Sequence, residues 1–334
     1  MRDPNAKTLI NQSLVDRQLS QAGQAMVRHN MAPELSVTLW PSFPHFKRFA
    51  YDDRVSGIRL NSAMMSNPEL DQELELLKGM KGTNPLFFDV KGRQLRVIDV
   101  IPNKDHLDLR LNHPISVTAP SVVLFKAGAD VALLDHLEEG GQRLIFQGGP
   151  RYRVSPGESL HLREPDLQVH GNIFTPIELE KIAKVRAAGF NKYFLSYVEQ
   201  ESDVDQFLEL VGKDAEVWLK IENLPGLKFV ENFKKRDNLV LVAARGDLFV
   251  ELEKPHHMMD ALRLIIKKDP EACVGSRILL SVIDNPVPSC SDLIEVAWLH
   301  DVGYRRMMLC DELCLKKNLL ATAVAVFDGI KRDL

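Results

Sequence analysis

The stretch Val217-Trp218-Leu219-Lys220-Ile221-Glu222-Asn223 is an apolar run that carries a cation and a carboxylate two residues apart. On a strand, residues two apart leave the same face, so the Lys220 ammonium and the Glu222 carboxylate look into one space. A second run, Leu239-Val240-Leu241-Val242-Ala243-Ala244, shows no alternation and ends in Arg245-Gly246-Asp247-Leu248. That is the pattern of a buried parallel strand emptying into a loop that carries a carboxylate. Two carboxylates and a lysine at neighbouring strand ends suit a divalent metal and a phosphorylated acid.

Outward from these two runs, strands and helices alternate. Further strands are predicted at 192–198, 277–283 and 305–309, and helices at 202–210, 227–235, 256–268, 291–300 and 316–331. Thr175-Pro176-Ile177-Glu178 is a capping-box start with proline at the first helical position, and Gly189 closes that helix. Upstream, strands are predicted at 35–40, 55–61 and 85–90, with a helix opening at Asn67-Pro68 that turns Leu70, Leu74 and Leu77 inward. Between 93 and 170 the periodicity changes to short β-like runs punctuated by Gly140-Gly141 and Gly148-Gly149-Pro150, which reads as a small all-β insertion domain.

Three strands before the insertion and five after it give the tally of a (β/α)8 TIM barrel. An open doubly wound sheet would need a nucleotide fingerprint after its first strand, and Pro41-Ser42-Phe43-Pro44 is not one. The expected organisation is an arm at 1–34, barrel strands one to three at 35–92, the lid-like insertion at 93–170 and the remaining barrel at 171–334. The arm is polar with a weak apolar periodicity (Leu9, Leu14, Leu19, Met26), which suits a peripheral helix or an oligomer contact; a homo-oligomer is expected.

The 334 residues are 45% hydrophobic and 26% charged, enough to bury one large core and a satellite. A net charge of −4 gives no general footprint for nucleic acid. No run is long and apolar enough to span a membrane, no signal peptide is recognisable, and the expected compartment is the cytoplasm. The four cysteines, Cys273, Cys290, Cys310 and Cys314, form no Cys-x-x-Cys pair and read as reduced thiols.

Active sites of this fold lie at the carboxyl ends of the strands. There the sequence puts Arg59 and Asn61, Asp89 and Lys91, Ser196, Lys220 and Glu222, Arg245 and Asp247, Ser281 and Asp284, then Asp311 and Glu312. The set is rich in cations and in hard oxygen donors that favour Mg²⁺. A Lys-x-Glu on a strand is by itself more often a lining salt bridge, and Asp89 has a structural alternative in pairing with Lys91 or Lys220.

With Ala244-Arg245-Gly246-Asp247-Leu248 and Val250-Glu251 following it, Leu219-Lys220-Ile221-Glu222-Asn223 closely resembles pyruvate kinase. Ile58-Arg59-Leu60-Asn61 is similar to that family's Ala-Arg-Leu-Asn strand, Asp89-Val90-Lys91-Gly92 through Arg96 to its Asp-Thr-Lys-Gly-Pro-Glu-Ile-Arg segment, and Leu195-Ser196-Tyr197-Val198 to its Leu-Ser-Phe-Val strand. The resemblance covers residues 35 to 330, and the insertion falls where the family has a mobile lid. It implies Glu222 and Asp247, with Asp89, as the Mg²⁺ site and Lys220 as the group that stabilises the transferring phosphoryl and the enolate. Backbone N–H groups of Ala244, Arg245, Gly246 and Asp247 would take the substrate carboxylate. Arg59 with Asn61 would hold phosphate, Arg96 would lie near the phosphates of ADP or ATP, and Ser281 would keep a hydroxyl for proton delivery.

Departures fall mainly on the nucleotide side. Ala63 and Val90 replace the two hydroxyls of the family's monovalent-cation site, so K⁺ activation is not expected. Gln94 replaces a glutamate, Met64 a histidine and Phe249 a glycine; Ser281-Val282 stands for Thr-Gln, and no Lys-Lys-Gly-Val run occurs in the lid. The chain also stops after the last barrel helix, short of the family's carboxyl-terminal regulatory domain. The resemblance therefore implies a Mg²⁺-dependent phosphotransferase acting on phosphoenolpyruvate and a nucleoside diphosphate. The alternatives are an aldolase or lyase that binds pyruvate or its enolate, and a non-catalytic metabolite-binding pseudoenzyme.

Overall fold

The computed structural model describes residues 31–80 and 82–334, so most of the arm expected at 1–34 lies outside the described residues. Three strands come first: β1 (Glu34–Thr38), β2 (Gly57–Asn61) and β3 (Leu86–Val90). Eight short strands follow: β4 (Val97–Val100), β5 (Asp108–Leu111), β6 (Ile115–Ser116), β7 (Ser121–Phe125), β8 (Asp130–Glu138), β9 (Arg143–Gln147), β10 (Leu160–Leu162) and β11 (Gln168–Val169). The chain then returns with β12 (Lys192–Leu195), β13 (Glu216–Ile221), β14 (Leu239–Ala244), β15 (Cys273–Gly275) and β16 (Arg306–Met308). The first three and last five strands close a parallel barrel in the order β1-β16-β15-β14-β13-β12-β3-β2, the expected (β/α)8 tally.

Alternation along each strand divides lumen from jacket. Val217, Leu219 and Ile221 of β13 belong to the large core under the helices, together with Leu241 and Ala243 of β14. Between them, Trp218 packs in a lumen cluster with Phe87, Phe194, Val240, Val242, Cys273 and Met308. This aromatic plug fills the amino-terminal end of the barrel. Gly57 makes room for it, because a Cβ there would lie 3.2 Å from the Phe87 ring. Two residues further along the same faces come Lys220, Asp89 and Ser196, so the period-2 pattern lifts the charged groups onto an apolar floor.

Helices take the expected intervals, and their start signals are satisfied. Thr175 caps Pro176–Ala187 and Ser66 caps Asn67–Leu77, both as full capping boxes. Glu201–Val211, Leu224–Asn232, Met258–Lys268, Cys290–Val302 and Lys317–Asp333 complete the jacket. The insertion is a six-stranded antiparallel sheet, β10-β7-β8-β9-β5-β4, with a two-stranded β11-β6 ribbon and its own core around Leu109, Phe125, Leu134, Leu144 and Phe146. Among the described residues no helix is long and apolar enough to cross a membrane.

Two elements differ from the sequence reading. The seventh barrel strand is Cys273–Gly275, not 277–283; the latter segment runs through positive φ at Ser276, Arg277 and Leu279 and ends in a 3₁₀ turn, Leu280–Ile283. Its apolar run reflects burial in a connection, since Ile278, Leu279 and Val282 all lie within the large core. Arg245-Gly246-Asp247, read as a loop, opens a short helix, Arg245–Glu251, with Asp247 in its first turn.

Candidate active site

Asp89 sits at the centre of the barrel mouth and is fully buried. Its Oδ2 accepts Arg59 Nε at 2.7 Å and Lys91 Nζ at 2.8 Å, its Oδ1 accepts Ser196 Oγ at 3.2 Å, and Lys220 Nζ lies 3.6 Å away. Burial opposes ionisation here, but Lys220, Lys91 and Arg59 outweigh it and hold the carboxyl far below the usual range. Burial, together with the charges of Lys220 and Arg59, pushes the Lys91 ammonium down to about 7 against the pull of Asp89. Asp89 is thus held by protein groups at both oxygens, with Arg59 and Lys91 sharing Oδ2.

Lys220 leans the other way. Its Nζ donates to Ser196 Oγ at 2.8 Å and lies 2.9 Å from Glu222 Oε1; burial disfavours its charge, but Asp89 and Glu222 keep it an ammonium. Glu222 Oε2 accepts the backbone N–H of Tyr197 at 2.7 Å, an N–H aimed by a left-handed turn at Tyr197 with φ of 51°. Glu222 Oε1 is buried and makes no well-directed hydrogen bond. Asp247, in the first turn of the helix Arg245–Glu251, lies near enough to Glu222 and Lys220 for its charge to act on both. Lys220, Glu222 and Asp247 therefore converge.

Arg59 also spans the mouth. Beyond Asp89, its Nη1 donates to Asp311 Oδ1 at 2.9 Å and to Thr38 Oγ1 at 3.3 Å, while Asn61 Nδ2 donates to Asp311 Oδ2 at 2.8 Å. Arg96 lies at the rim on the lid side, where Nε and Nη2 donate to Gln94 Oε1 at 3.0 and 2.6 Å and Nη1 to the Gly157 carbonyl. Gln94 Nε2 in turn donates to Asp247 Oδ2 at 3.5 Å.

Ser281 points elsewhere, and Arg245 faces the mouth only through its backbone. The Arg245 side chain braces the barrel wall, bonded to Glu295 at 2.6 Å and to the Ser276 carbonyl at 3.1 Å. Ala244, Gly246 and Asp247 contribute backbone at the start of a helix that has no side-chain cap. Ser281 is not on a strand: its Oγ donates to Asp292 and accepts Ser289 N–H at 2.8 Å, locking it into the cap of Cys290–Val302.

No family model matches the chain, but comparison with curated proteins reaches most of its length. It is 26% identical over 308 residues to the pyruvate kinase of Methanocaldococcus jannaschii, covering 85% of this chain and 65% of that protein. It is 23% identical over 308 residues to the pyruvate kinase of Borreliella burgdorferi, with 82% and 62% covered. The pyruvate kinase of Thermotoga maritima is 26% identical over 258 residues, with 74% and 54% covered. Over most of its length the chain is similar to pyruvate kinases. It spans between 54% and 65% of the length of these relatives.

The Mg²⁺ implied by the resemblance to pyruvate kinase can be tested against the donor set. Among the described residues no three His, Cys, Asp or Glu side chains are grouped to hold an ion. Glu222 and Asp247 offer two hard carboxylates, and Glu222 Oε1, 2.9 Å from Lys220 Nζ, is buried without a well-directed hydrogen bond. Mg²⁺ commonly takes one or two protein carboxylates and fills its other positions with water and substrate oxygens, so Glu222 and Asp247 fit it.

Sequence reasoning missed His161. It projects from β10 of the lid and is almost fully buried against the barrel, with Nδ1 2.7 Å from Glu251 Oε1 and Nε2 3.6 Å from Asp247 Oδ1; Tyr197 Oη lies 3.3 Å from Nδ1. The signal was the alternation Leu160-His161-Leu162, a polar side chain facing away from two core leucines. Nearby, Arg163 Nε donates to the Val250 carbonyl, so the lid is fastened to the helix that carries Asp247. Beside this junction a cavity of about 820 Å³ opens between lid and barrel, lined among others by His161, Tyr197, Glu199, Glu251 and Lys228.

A pH dependence follows from the paired carboxyls. Burial and the Asp247 charge push Glu222 up to about 7 from 4.5, against Lys220. Between those values the folded chain keeps a proton that the unfolded chain has released, so this group makes the metal-free protein less stable as pH rises, with no further change above 7. A cation bound by Glu222 replaces that proton and reverses the trend. Urea unfolding midpoints at pH 5 and pH 7 are expected to show Mg²⁺ stabilising the protein more at pH 7, and Glu222→Gln should remove that difference.

Proposed function

We propose that the chain is a pyruvate-kinase-like phosphotransferase that moves the phosphoryl group of phosphoenolpyruvate to a nucleoside diphosphate with Mg²⁺. The observation that carries this reading is the convergence of Lys220, Glu222 and Asp247 at the barrel mouth. In it, Glu222 and Asp247 hold Mg²⁺, which when bound neutralises charge on the substrate oxygens. Lys220, held as an ammonium by Asp89 and Glu222, faces the oxygen that bears charge as the phosphoryl leaves and the enolate forms. The uncapped backbone that begins Arg245–Glu251 takes the acid's carboxylate, and Arg59 and Arg96 steady the phosphoryl groups. Nothing in this scheme needs covalent chemistry from the protein; it needs charges fixed in a dry mouth.

A coupled assay with phosphoenolpyruvate, Mg²⁺ and ADP or GDP tests it. Pyruvate formation that is lost in Glu222→Gln is the expected result. No turnover with any of several diphosphates, with or without K⁺, would overturn it. One observation favours a second reading: the guanidiniums of Arg59 and Arg96 are already committed to protein acceptors. A lyase that releases pyruvate from a 4-hydroxy-2-oxo acid needs no phosphate grip, and such release without kinase turnover would select it.

A further inference from the structure

The phosphate end of the mouth already holds an anion, and it belongs to the protein. Arg59 donates Nε and Nη2 to Asp89, and Nη1 to Asp311 and Thr38. Asp311 spreads its two oxygens across Arg59 and Asn61 at 2.9 and 2.8 Å, the two-pronged grip those side chains would give to two oxygens of a phosphoryl group. A phosphoryl group that takes these donors of Arg59 and Asn61 has to displace a resident carboxylate.

The two partners of Arg59 differ in freedom. Asp89 lies on β3, wholly buried and held by three cations and Ser196. The side chain of Asp311 is 31% exposed and begins the four-residue helix Asp311–Cys314 just beyond β16. Of the two, only Asp311 can rotate toward solvent.

We propose that Asp311 is a selectivity residue at the phosphate end of the site: its carboxylate competes with phosphoryl groups for Arg59 and Asn61, and so disfavours phosphorylated acids against unphosphorylated 2-oxo acids. The inference rests on the site assigned under the proposed function. A 2-oxo acid or oxalate engages Lys220 and the metal pair, and leaves Asp311 where it is. Phosphoenolpyruvate has to displace it.

Calorimetric titration of wild type, Asp311→Asn and Asp311→Ala with phosphoenolpyruvate, oxalate and inorganic phosphate, all with Mg²⁺, separates the two claims. Removing a charged competitor should tighten phosphoenolpyruvate and inorganic phosphate roughly ten-fold or more, while oxalate should change by less than about two-fold. Asp311→Asn keeps the side-chain shape should Asp311→Ala lose its fold. Unchanged or weaker binding of phosphoenolpyruvate and phosphate in Asp311→Asn overturns the proposal, whatever oxalate does. If oxalate fails to bind wild type while phosphate still tightens in the variant, the selectivity role stands and the metal and acid site falls.

Discussion

Asp89→Asn is expected to destabilise the fold by about 3–5 kcal/mol, the cost of leaving buried cations without their counter-charge. Three cations share this carboxylate: Arg59 Nη2 at 2.5 Å, Lys91 Nζ at 2.8 Å and Lys220 Nζ at 3.6 Å. The surroundings cannot compensate, because Asp89 is wholly shielded from water and the plug of Phe87, Phe194 and Trp218 lies below. Urea denaturation gives the number. Adding Lys91→Met to Asp89→Asn should recover part of the loss by removing one stranded charge, a coupling that additive effects would not produce. A loss under about 1 kcal/mol in the single variant would mean that water or rotation relieves the cluster, and that the mouth is not the dry, fixed site described.

Lys220→Met is expected to lower kcat by about a thousand-fold, at the upper end of what one pre-organised charge contributes. The change removes the ammonium that lies between Asp89 and Glu222 and keeps the stem that packs in the lumen. Mg²⁺ binding should survive, since Glu222 and Asp247 remain and neither must share its charge with Lys220. Glu222→Gln should do the reverse and abolish metal binding first. Finding that both variants lose metal equally, or that Lys220→Met retains more than about a tenth of wild-type kcat, would reduce Lys220 to a lining ion pair.

Much of this arrangement was legible in the chain because strands repeat every two residues. Leu219-Lys220-Ile221-Glu222 had to send both charges to one face, and the pattern of the adjacent run, residues 239–244, assigned that face to a lumen and not to solvent. The convergence of Asp247 was readable only as a position after a strand end, and the short helix that aims it was not. Failures have a common cause. Burial inside a connection looks like burial inside a strand, so Ile278, Leu279 and Val282 imitated a seventh strand and drew Ser281 into the site. In the fold, Ser281 serves a helix cap instead.

Contacts made between distant segments were illegible for a different reason. Asp311 meets Arg59 across 252 positions of sequence, and His161 meets Glu251 across 90. Neither local pattern states its partner. Tyr197 is a third case, because its positive φ depends on the turn after β12 and no glycine or asparagine marks it. Each of these three residues touches the group that tunes the site, so the fold-deciding alternation was visible and the tuning was not.

Crystals soaked with Mn²⁺ and oxalate, with data collected at the manganese absorption edge, test the central claim most directly. The predicted result is one anomalous peak within coordination distance of both Glu222 and Asp247, with oxalate bound to it and facing the Lys220 ammonium. A peak elsewhere on the barrel, or none while Lys220 remains closed on Glu222, would contradict it.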